Sequence, residues 1–91
     1  MTMKQYMVIE HFKPNCTEAV YERFNLKGRM LPAGLWFVNS WVNKELGICY
    51  QLMETDNSQL FSVWTNHWNG LIEFDIVPLD GSSQSQKMLN I

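Results

Sequence analysis

The sequence has little charge of either sign, and this shortage argues against several kinds of partner. Charged residues make up 18% of the 91 positions, and seven basic against nine acidic side chains give a net charge of -2. Since no basic face is present to neutralise phosphates, we expect no nucleic-acid partner. No stretch approaches the roughly 20 apolar residues of a membrane span, and the opening MTMKQYMVIEHF lacks the apolar run of a signal peptide. We therefore expect no membrane partner and a cytoplasmic location.

Cysteine is also scarce, and familiar catalytic motifs are missing. Cys16 and Cys49 lie far apart, without a CxxC or a Cys/His cluster, so we expect free thiols rather than a zinc site or a redox pair. The sequence shows no Ser-His-Asp or Cys-His pattern, no glycine-rich phosphate loop and no metal-binding His/Glu spacing. We expect no metal and no cofactor, and whether the protein is an enzyme stays open.

Aromatic residues, by contrast, are plentiful. Apolar residues make up 46% of the chain, which contains four Trp, three Tyr and five Phe. This composition predicts one globular domain over residues 1–80, followed by a polar, flexible tail over 81–91. A core of this size would not readily bury so much aromatic surface. We therefore expect part of it to lie in a pocket or in an oligomer interface.

The first half of the chain predicts a strand, a helix and a hairpin. YMVIEHF, residues 6–12, is β-branched and aromatic, and the turn-forming KPN follows it. Asn15 and Glu18 have the spacing of a capping box for a helix that Gly28 ends. Residues 34–45 and 48–55 then predict two strands joined by a short turn.

The second half predicts one more helix and one more strand. Asp56, with Gln59 three positions later, is placed to cap a helix that Gly70 closes. Residues 71–79 alternate apolar and acidic side chains, which is typical of an edge strand with one face in water.

The order βαββαβ predicts an α+β, ferredoxin-like fold. Right-handed crossovers and a central hairpin give an antiparallel sheet of order 4-1-3-2 with both helices on one face. The first and third strands are central, and both carry apolar residues on both faces. Because a monomer would leave one of these faces in water, we expect a homodimer that pairs the two sheets.

Two long strings resemble a known family. VYERFNLKGRMLPAGLWFVNSWV and CYQLMETDNSQLFSVWTNHWN are similar to short, functionally uncharacterised bacterial proteins, and KGRMLP and QLMETD are the most specific parts. The resemblance spans residues 4–79. It implies the dimeric α/β-barrel form of the fold and no particular activity. By analogy of fold alone, the wider barrel superfamily includes cofactor-free and haem-degrading monooxygenases, chlorite-dismutase-like haem proteins and ligand-sensing domains.

His67 is the most prominent polar candidate. At about 100° per residue, with Leu60 at zero, His67 falls near -20° on the second helix, inside an arc that also holds Val63, Trp64 and Trp68. This position predicts that His67 faces the sheet. It is then either a hydrogen-bonded core residue or a cavity group that binds haem iron or relays a proton.

Two carboxylates are further catalytic candidates. Glu10 and Glu54 each end an apolar strand face, where burial would raise the pKa of a carboxyl group and suit it to acid/base chemistry. The alternative is a structural ion pair, for which Arg29 is a natural partner. His11 ends the first strand beside Lys13, and we expect it to be solvated.

The remaining candidates would line a ligand pocket. Asn39 and Trp41 on the second strand and Gln51 on the third offer hydrogen-bonding tips that could orient a ligand, or could equally belong to an interface. The full set of pocket candidates is Arg29, Asn39, Trp41, Gln51, Trp64, His67 and Trp68.

Three functions are compatible with these residues. The first is a module that binds or senses a small apolar or aromatic molecule in a pocket between helix and sheet. The second is a monooxygenase, cofactor-free or haem-dependent, which would use Trp, Asn and His. The third is a structural domain that binds a partner.

Overall fold

Strands and helices alternate in the order βαββαβ in the computed structural model, which describes residues 3–80. The predicted tail over 81–91 lies outside the described residues. The elements are β1 (Lys4–Phe12), α1 (Thr17–Lys27), β2 (Leu35–Asn43), β3 (Ile48–Thr55), α2 (Leu60–Thr65), a 3-10 helix (Asn66–Trp68) and β4 (Ile72–Leu79). The chain is therefore α+β.

The four strands form one antiparallel sheet in the order β2-β3-β1-β4. Counted from the β4 edge, this order is 4-1-3-2, with β1 and β3 in the centre. The ladder pairs Val8 with Gln51 of β3 on one side and with Ile76 of β4 on the other. Directly paired residues share a face, so the register fixes which side chains point toward the helices.

Both helices cover the same face of the sheet, and the core lies between the helices and this face. Val8 of β1 and Met53 of β3 are completely buried there, and Val20 of α1 belongs to the same cluster. The aromatic rings of Tyr6 and Phe61 meet edge to face, with 4.9 Å between centroids. An uninterrupted apolar cluster thus joins β1, β3, α1 and α2, which is what a small domain needs for stability.

The other face of the sheet carries no helix, and we call it the open face. It is formed by Gln5, Met7, Ile9 and His11 of β1, Trp36, Asn39, Trp41 and Asn43 of β2, Ile48, Tyr50, Leu52 and Glu54 of β3, and Glu73, Asp75, Val77 and Leu79 of β4. Trp36 is 60% exposed and Trp41 51%. Large aromatic surface therefore lies uncovered in the described chain.

The start of α1 differs from the prediction. Asn15 does not cap the helix, because its backbone is left-handed (φ 62°) and it lies in the turn that precedes Thr17. Cys16 occupies the N-cap position and makes no side-chain capping bond. The predicted end is confirmed: Gly28 has φ 67° and donates its N–H to the carbonyl of Phe24.

The start of α2 also differs from the prediction. The helix begins at Leu60, and Gln59 rather than Asp56 holds its N-cap position. Two overlapping side-chain turns lead into it: the Thr55 hydroxyl accepts the N–H of Asn57, and the Asn57 side-chain oxygen accepts the N–H of Gln59, each at 3.1 Å. These short-range bonds compete with the predicted capping box and delay the first helical turn.

Candidate functional site

A cavity of about 220 Å³ lies between the helices and the sheet. Its walls are mainly apolar and aromatic, and a few polar side chains come from the sheet and from the loop after α1. The lining residues are Glu10, Phe12, Val20, Tyr21, Phe24, Arg29, Ser40, Val42, Cys49, Gln51, Trp64, Trp68 and Ile72. An apolar enclosure with a small number of polar groups is typical of small-molecule sites.

The polar groups form one chain of hydrogen bonds. Glu10 of β1 pairs with Cys49 of β3, which brings it close to Gln51 on the same face. The Gln51 amide nitrogen donates to Oε2 of Glu10, and Arg29 Nε donates to the Gln51 amide oxygen at 3.2 Å. Gln51 therefore links the cation to the carboxyl group, and both ends of its amide are used.

Arg29 is held in place from three sides. Its guanidinium carbon lies 3.6 Å from the ring centroid of Phe37 and 5.1 Å from that of Phe24, so the charge stacks on aromatic faces. Its backbone carbonyl accepts the indole N–H of Trp64 at 2.9 Å and that of Trp68 at 3.3 Å. The two tryptophans thus fix the loop that carries Arg29, and they satisfy their own buried N–H groups in doing so.

The pKa of the Glu10 carboxyl group is strongly perturbed in the site. Burial raises the pKa of its carboxyl group from 4.5 to about 7, while the bond from Gln51 and the charge of Arg29 act in the opposite direction. Desolvation exceeds these two effects because Glu10 is only 6% exposed. Near neutral pH the group can therefore either donate or accept a proton.

The neighbours of Glu10 are perturbed by the same burial. Burial, with a smaller contribution from Glu10, raises the pKa of the Cys49 thiol to about 11, so the thiol stays protonated and unreactive. Burial also lowers the pKa of Arg29, although a guanidinium remains charged at physiological pH. The site thus combines one fixed positive charge with one carboxyl group of variable charge.

The predicted burial of His67 is wrong. Its side chain is exposed and does not line the cavity, while its backbone carbonyl accepts a bond from Arg23 at 2.8 Å. The regular helix stops at Thr65, and the buried side chains of this region are Phe61, Trp64 and Trp68. These three span only about 60° of the predicted wheel, from roughly 40° to 100°, so His67 near -20° lies on the flank of the buried arc.

Three more candidates lie on the open face instead of in the cavity. Glu54 follows the alternation of β3 away from the helices and accepts a bond from Gln5 at 3.2 Å. Asn39 and Trp41 are displaced by a register shift between Phe37 and Asn39, which gives β2 one extra residue. The shift turns both side chains away from the helices.

The cavity therefore brings together five of the candidates: Glu10, Arg29, Gln51, Trp64 and Trp68. Ser40 and Cys49 were missed as polar lining residues, together with the apolar wall from α1. Strict alternation along β3 places Cys49 on the same face as Gln51, so the sequence did contain a signal for Cys49. Ser40 had no such signal, because its orientation depends on the register shift.

His11 is also on the open face, where its ring contacts an acidic side chain of β4. Its Nε2 lies 3.2 Å from an oxygen of Asp75 of β4. Both side chains retain substantial exposure, 45% and 67%. The contact is therefore a surface pair of small energetic weight and has no part in the cavity.

Residues 3–80 contain neither a cluster of metal ligands nor a membrane-spanning helix. No group of three or more His, Cys, Asp or Glu side chains in this range is placed to hold a metal ion. The longest helix there, α1, has 11 residues, and neither helix is long and apolar enough to span a bilayer.

Comparison with known proteins gives a family but no characterised relative. No curated protein and no solved structure matches the chain. A family defined as a domain of unknown function, DUF3303, matches residues 3–90. This agrees with the resemblance to an uncharacterised family, although it brings no activity or ligand with it. Because the match covers nearly the whole sequence, the chain belongs to the DUF3303 family.

Proposed function

We propose that this protein binds or senses a small apolar or aromatic molecule in the cavity between the helices and the sheet. The observation that carries the proposal is a largely apolar cavity with a hydrogen-bonded chain of Glu10, Gln51 and Arg29 in its wall. The apolar wall would supply affinity, and the polar chain would orient the ligand. The proposal requires no chemical step.

The volume of the cavity limits the size of the ligand. Its 220 Å³ exceeds the roughly 150 Å³ of an apolar cavity known to take up benzene. It is smaller than the roughly 300 Å³ at which pockets for drug-sized ligands begin. The proposed ligand is therefore a molecule with one or two rings, or an aliphatic molecule of similar size.

The monooxygenase alternative receives less support from the described residues. Among the side chains expected for it, His67 and Asn39 lie outside the cavity, and haem ligation by His67 would have to occur at the surface. Glu10 is a possible acid/base group, but no second reacting group is placed beside it. We therefore prefer binding to turnover.

The partner-binding alternative leads to a proposal about assembly. We propose that the open face pairs with that of a second copy, which gives the dimeric α/β barrel of a ferredoxin-like chain. Trp36, Trp41 and Tyr50 lie there with more than a third of their surface exposed. Aromatic side chains of this kind are enriched in interfaces.

We also keep the cytoplasm as the proposed location, since Cys16 and Cys49 are both free.

The binding proposal can be tested with two neutral aromatic probes, indole and benzamide. Titration followed by amide NMR should shift the resonances of cavity residues such as Val20 and Cys49. The variant Val42→Trp adds an indole at the edge of the cavity and should abolish these shifts. Val38→Trp is the matched control, because Val38 is also an exposed β2 valine but does not line the cavity. Shifts that are absent in wild type, or that survive in Val42→Trp, would contradict the proposal.

A further inference from the structure

The Arg29 guanidinium has donors that the described chain leaves unused. Its Nε bonds to Gln51, while neither terminal nitrogen donates to any group within residues 3–80. No buried polar side-chain atom in this range lacks a partner, so these two nitrogens are not sealed in the core. Arg29 also lines the cavity. A pair of parallel N–H donors is therefore available to a molecule that enters.

Arg29 also lacks a carboxylate partner of its own within the described residues. The salt bridge found there joins His11 to Asp75 on the opposite face. Glu10 is the carboxyl group linked to Arg29, but the link is indirect, because the Gln51 amide bonds to both side chains. The positive charge of the site is therefore fixed by stacking on Phe37 rather than neutralised by an anion.

We propose that the cavity selects a small aromatic or apolar monocarboxylate, whose carboxylate binds the two terminal nitrogens of Arg29 while its apolar body occupies the cavity. This inference rests on the proposed function and names its ligand class. A planar guanidinium matches a carboxylate with two parallel hydrogen bonds, and such charge-assisted bonds are strong where solvent is partly excluded.

The charges around the site favour a single negative charge. The titratable groups that line the cavity with Arg29 are Glu10 from β1, Cys49 from β3 and Tyr21 from α1. Arg29 is the one cation among the lining residues, and a dianion such as a phosphate monoester would place its second charge near Glu10. A monocarboxylate is neutralised by Arg29 alone, provided that Glu10 carries its proton.

The test compares benzoate with benzamide, which have nearly the same shape and differ in charge. Calorimetric titration of the full chain at pH 6 should show benzoate binding at least about tenfold more tightly than benzamide, as expected for charge-assisted bonds. Arg29→Gln should remove this preference while benzamide still binds. Arg23→Gln is the matched control, because Arg23 bonds to the carbonyl of His67 outside the cavity.

A second variant guards against a folding defect. Arg29→Lys keeps the charge and loses the paired donors, so it should retain only part of the preference for benzoate. Equal binding of benzoate and benzamide by wild type would overturn the monocarboxylate inference and leave the proposed function intact. Absence of binding by both probes would overturn both proposals. A benzoate preference that survives in Arg29→Gln would place the carboxylate elsewhere and also overturn the inference.

The dependence of binding on pH provides an independent measurement. Since burial raises the pKa of Glu10 to about 7, the benzoate affinity of wild type should fall as the pH rises from 6 to 8.5, because the ionised Glu10 repels the ligand. Benzamide affinity should change much less. Glu10→Gln should bind benzoate with little dependence on pH. A fall in benzoate affinity as steep as that of wild type would contradict the proposed repulsion by Glu10.

Discussion

Glu10 shows how much the environment of one residue matters in this protein. It lies in a β-strand whose neighbouring inward residues, Tyr6 and Val8, are apolar and buried. The same alternation forces a carboxyl group into the interior, where the Gln51 amide satisfies only part of its hydrogen-bonding capacity. A buried acid of this kind lowers stability when it ionises, and proteins often keep such groups at functional sites.

The free energy of unfolding should therefore depend on the charge of Glu10. Its pKa is about 7 in the folded chain and 4.5 in an ordinary environment, so between these values the folded state holds a proton that the unfolded chain has lost. Stability then falls as the pH rises through this window. Glu10→Gln should be more stable than wild type at pH 8 by about 1–3 kcal/mol, with little or no gain at pH 4.5.

Urea denaturation at both pH values measures this difference. Glu22→Gln is the matched control, since Glu22 is exposed on α1 and does not line the cavity. The control should track wild type at both pH values. Equal stability of Glu10→Gln and wild type at pH 8 would show that the buried carboxyl group does not carry the cost assigned to it.

At the level of single residues, side-chain direction could be predicted from the sequence where the local geometry is regular. Gln51 and Glu10 lie on central strands, where alternation fixes the side-chain direction, and both line the cavity. The predicted burial of His67 was wrong because the helix beside it is too short to bury a wide arc of its surface. The sequence gives the angle of each side chain around the helix axis. It does not show how wide an arc of the helix is buried against the sheet.

Among the elements, α2 and the 3-10 helix after it have a role beyond packing. They place two indole N–H groups, those of Trp64 and Trp68, on the carbonyl of Arg29. The loop that receives them is conformationally unusual, with left-handed backbone at Gly28 and also at Met30, which is not a glycine. The two bonds help to hold the loop in this conformation, which costs free energy for a residue with a side chain.

The two tryptophans should therefore be energetically coupled. Trp64→Phe and Trp68→Phe each leave one donor on the Arg29 carbonyl, whereas the double variant leaves none. The double variant should lose more stability than the sum of the single losses, by on the order of 1 kcal/mol. A double-mutant cycle in urea measures the coupling. The control cycle pairs Trp68→Phe with Trp41→Phe across the sheet and should be additive, and additivity in both cycles would contradict the shared anchor.

Element boundaries were predictable to differing degrees. The predicted bounds of β3 agree with the structure, and β4 begins one residue later than predicted. The helix starts were wrong because a left-handed backbone turn at Asn15 and a short side-chain turn at Asn57 preceded them. Such turns compete with capping over a few residues, and the same amino acids serve both.

Considered as a whole, the molecule has two very different sheet faces. One is covered by helices and contains the cavity, and the other displays Trp36, Trp41 and Tyr50. The βαββαβ order makes this asymmetry unavoidable, because two right-handed crossovers place both helices on the same side. The sequence predicted this asymmetry through the order of its elements, which places both helices on one face of the sheet.

If the open face pairs two copies, a charge placed on it should separate them. We expect twice the 10.7 kDa chain mass by light scattering for wild type, with about 800 Å² or more buried on each copy. Trp41→Lys should give the monomer mass at micromolar concentration. Val63→Lys is the control, because Val63 is 48% exposed on α2 and away from the sheet. A wild type that is monomeric at that concentration would contradict the assembly.

The extra residue in β2 determines which side chains each of these two faces displays. If the same β2 sequence paired without the shift, Trp41 would follow Leu35 and Phe37 toward the helices, and its indole would compete for the space that a ligand is proposed to fill. The open face would lose a large aromatic side chain in the same event. Loss of the register shift with every residue of β2 kept would therefore move Trp41 from the open face to the cavity side, and ligand capacity and self-association would be lost together, whereas deletion of Val38 would leave both faces as they are.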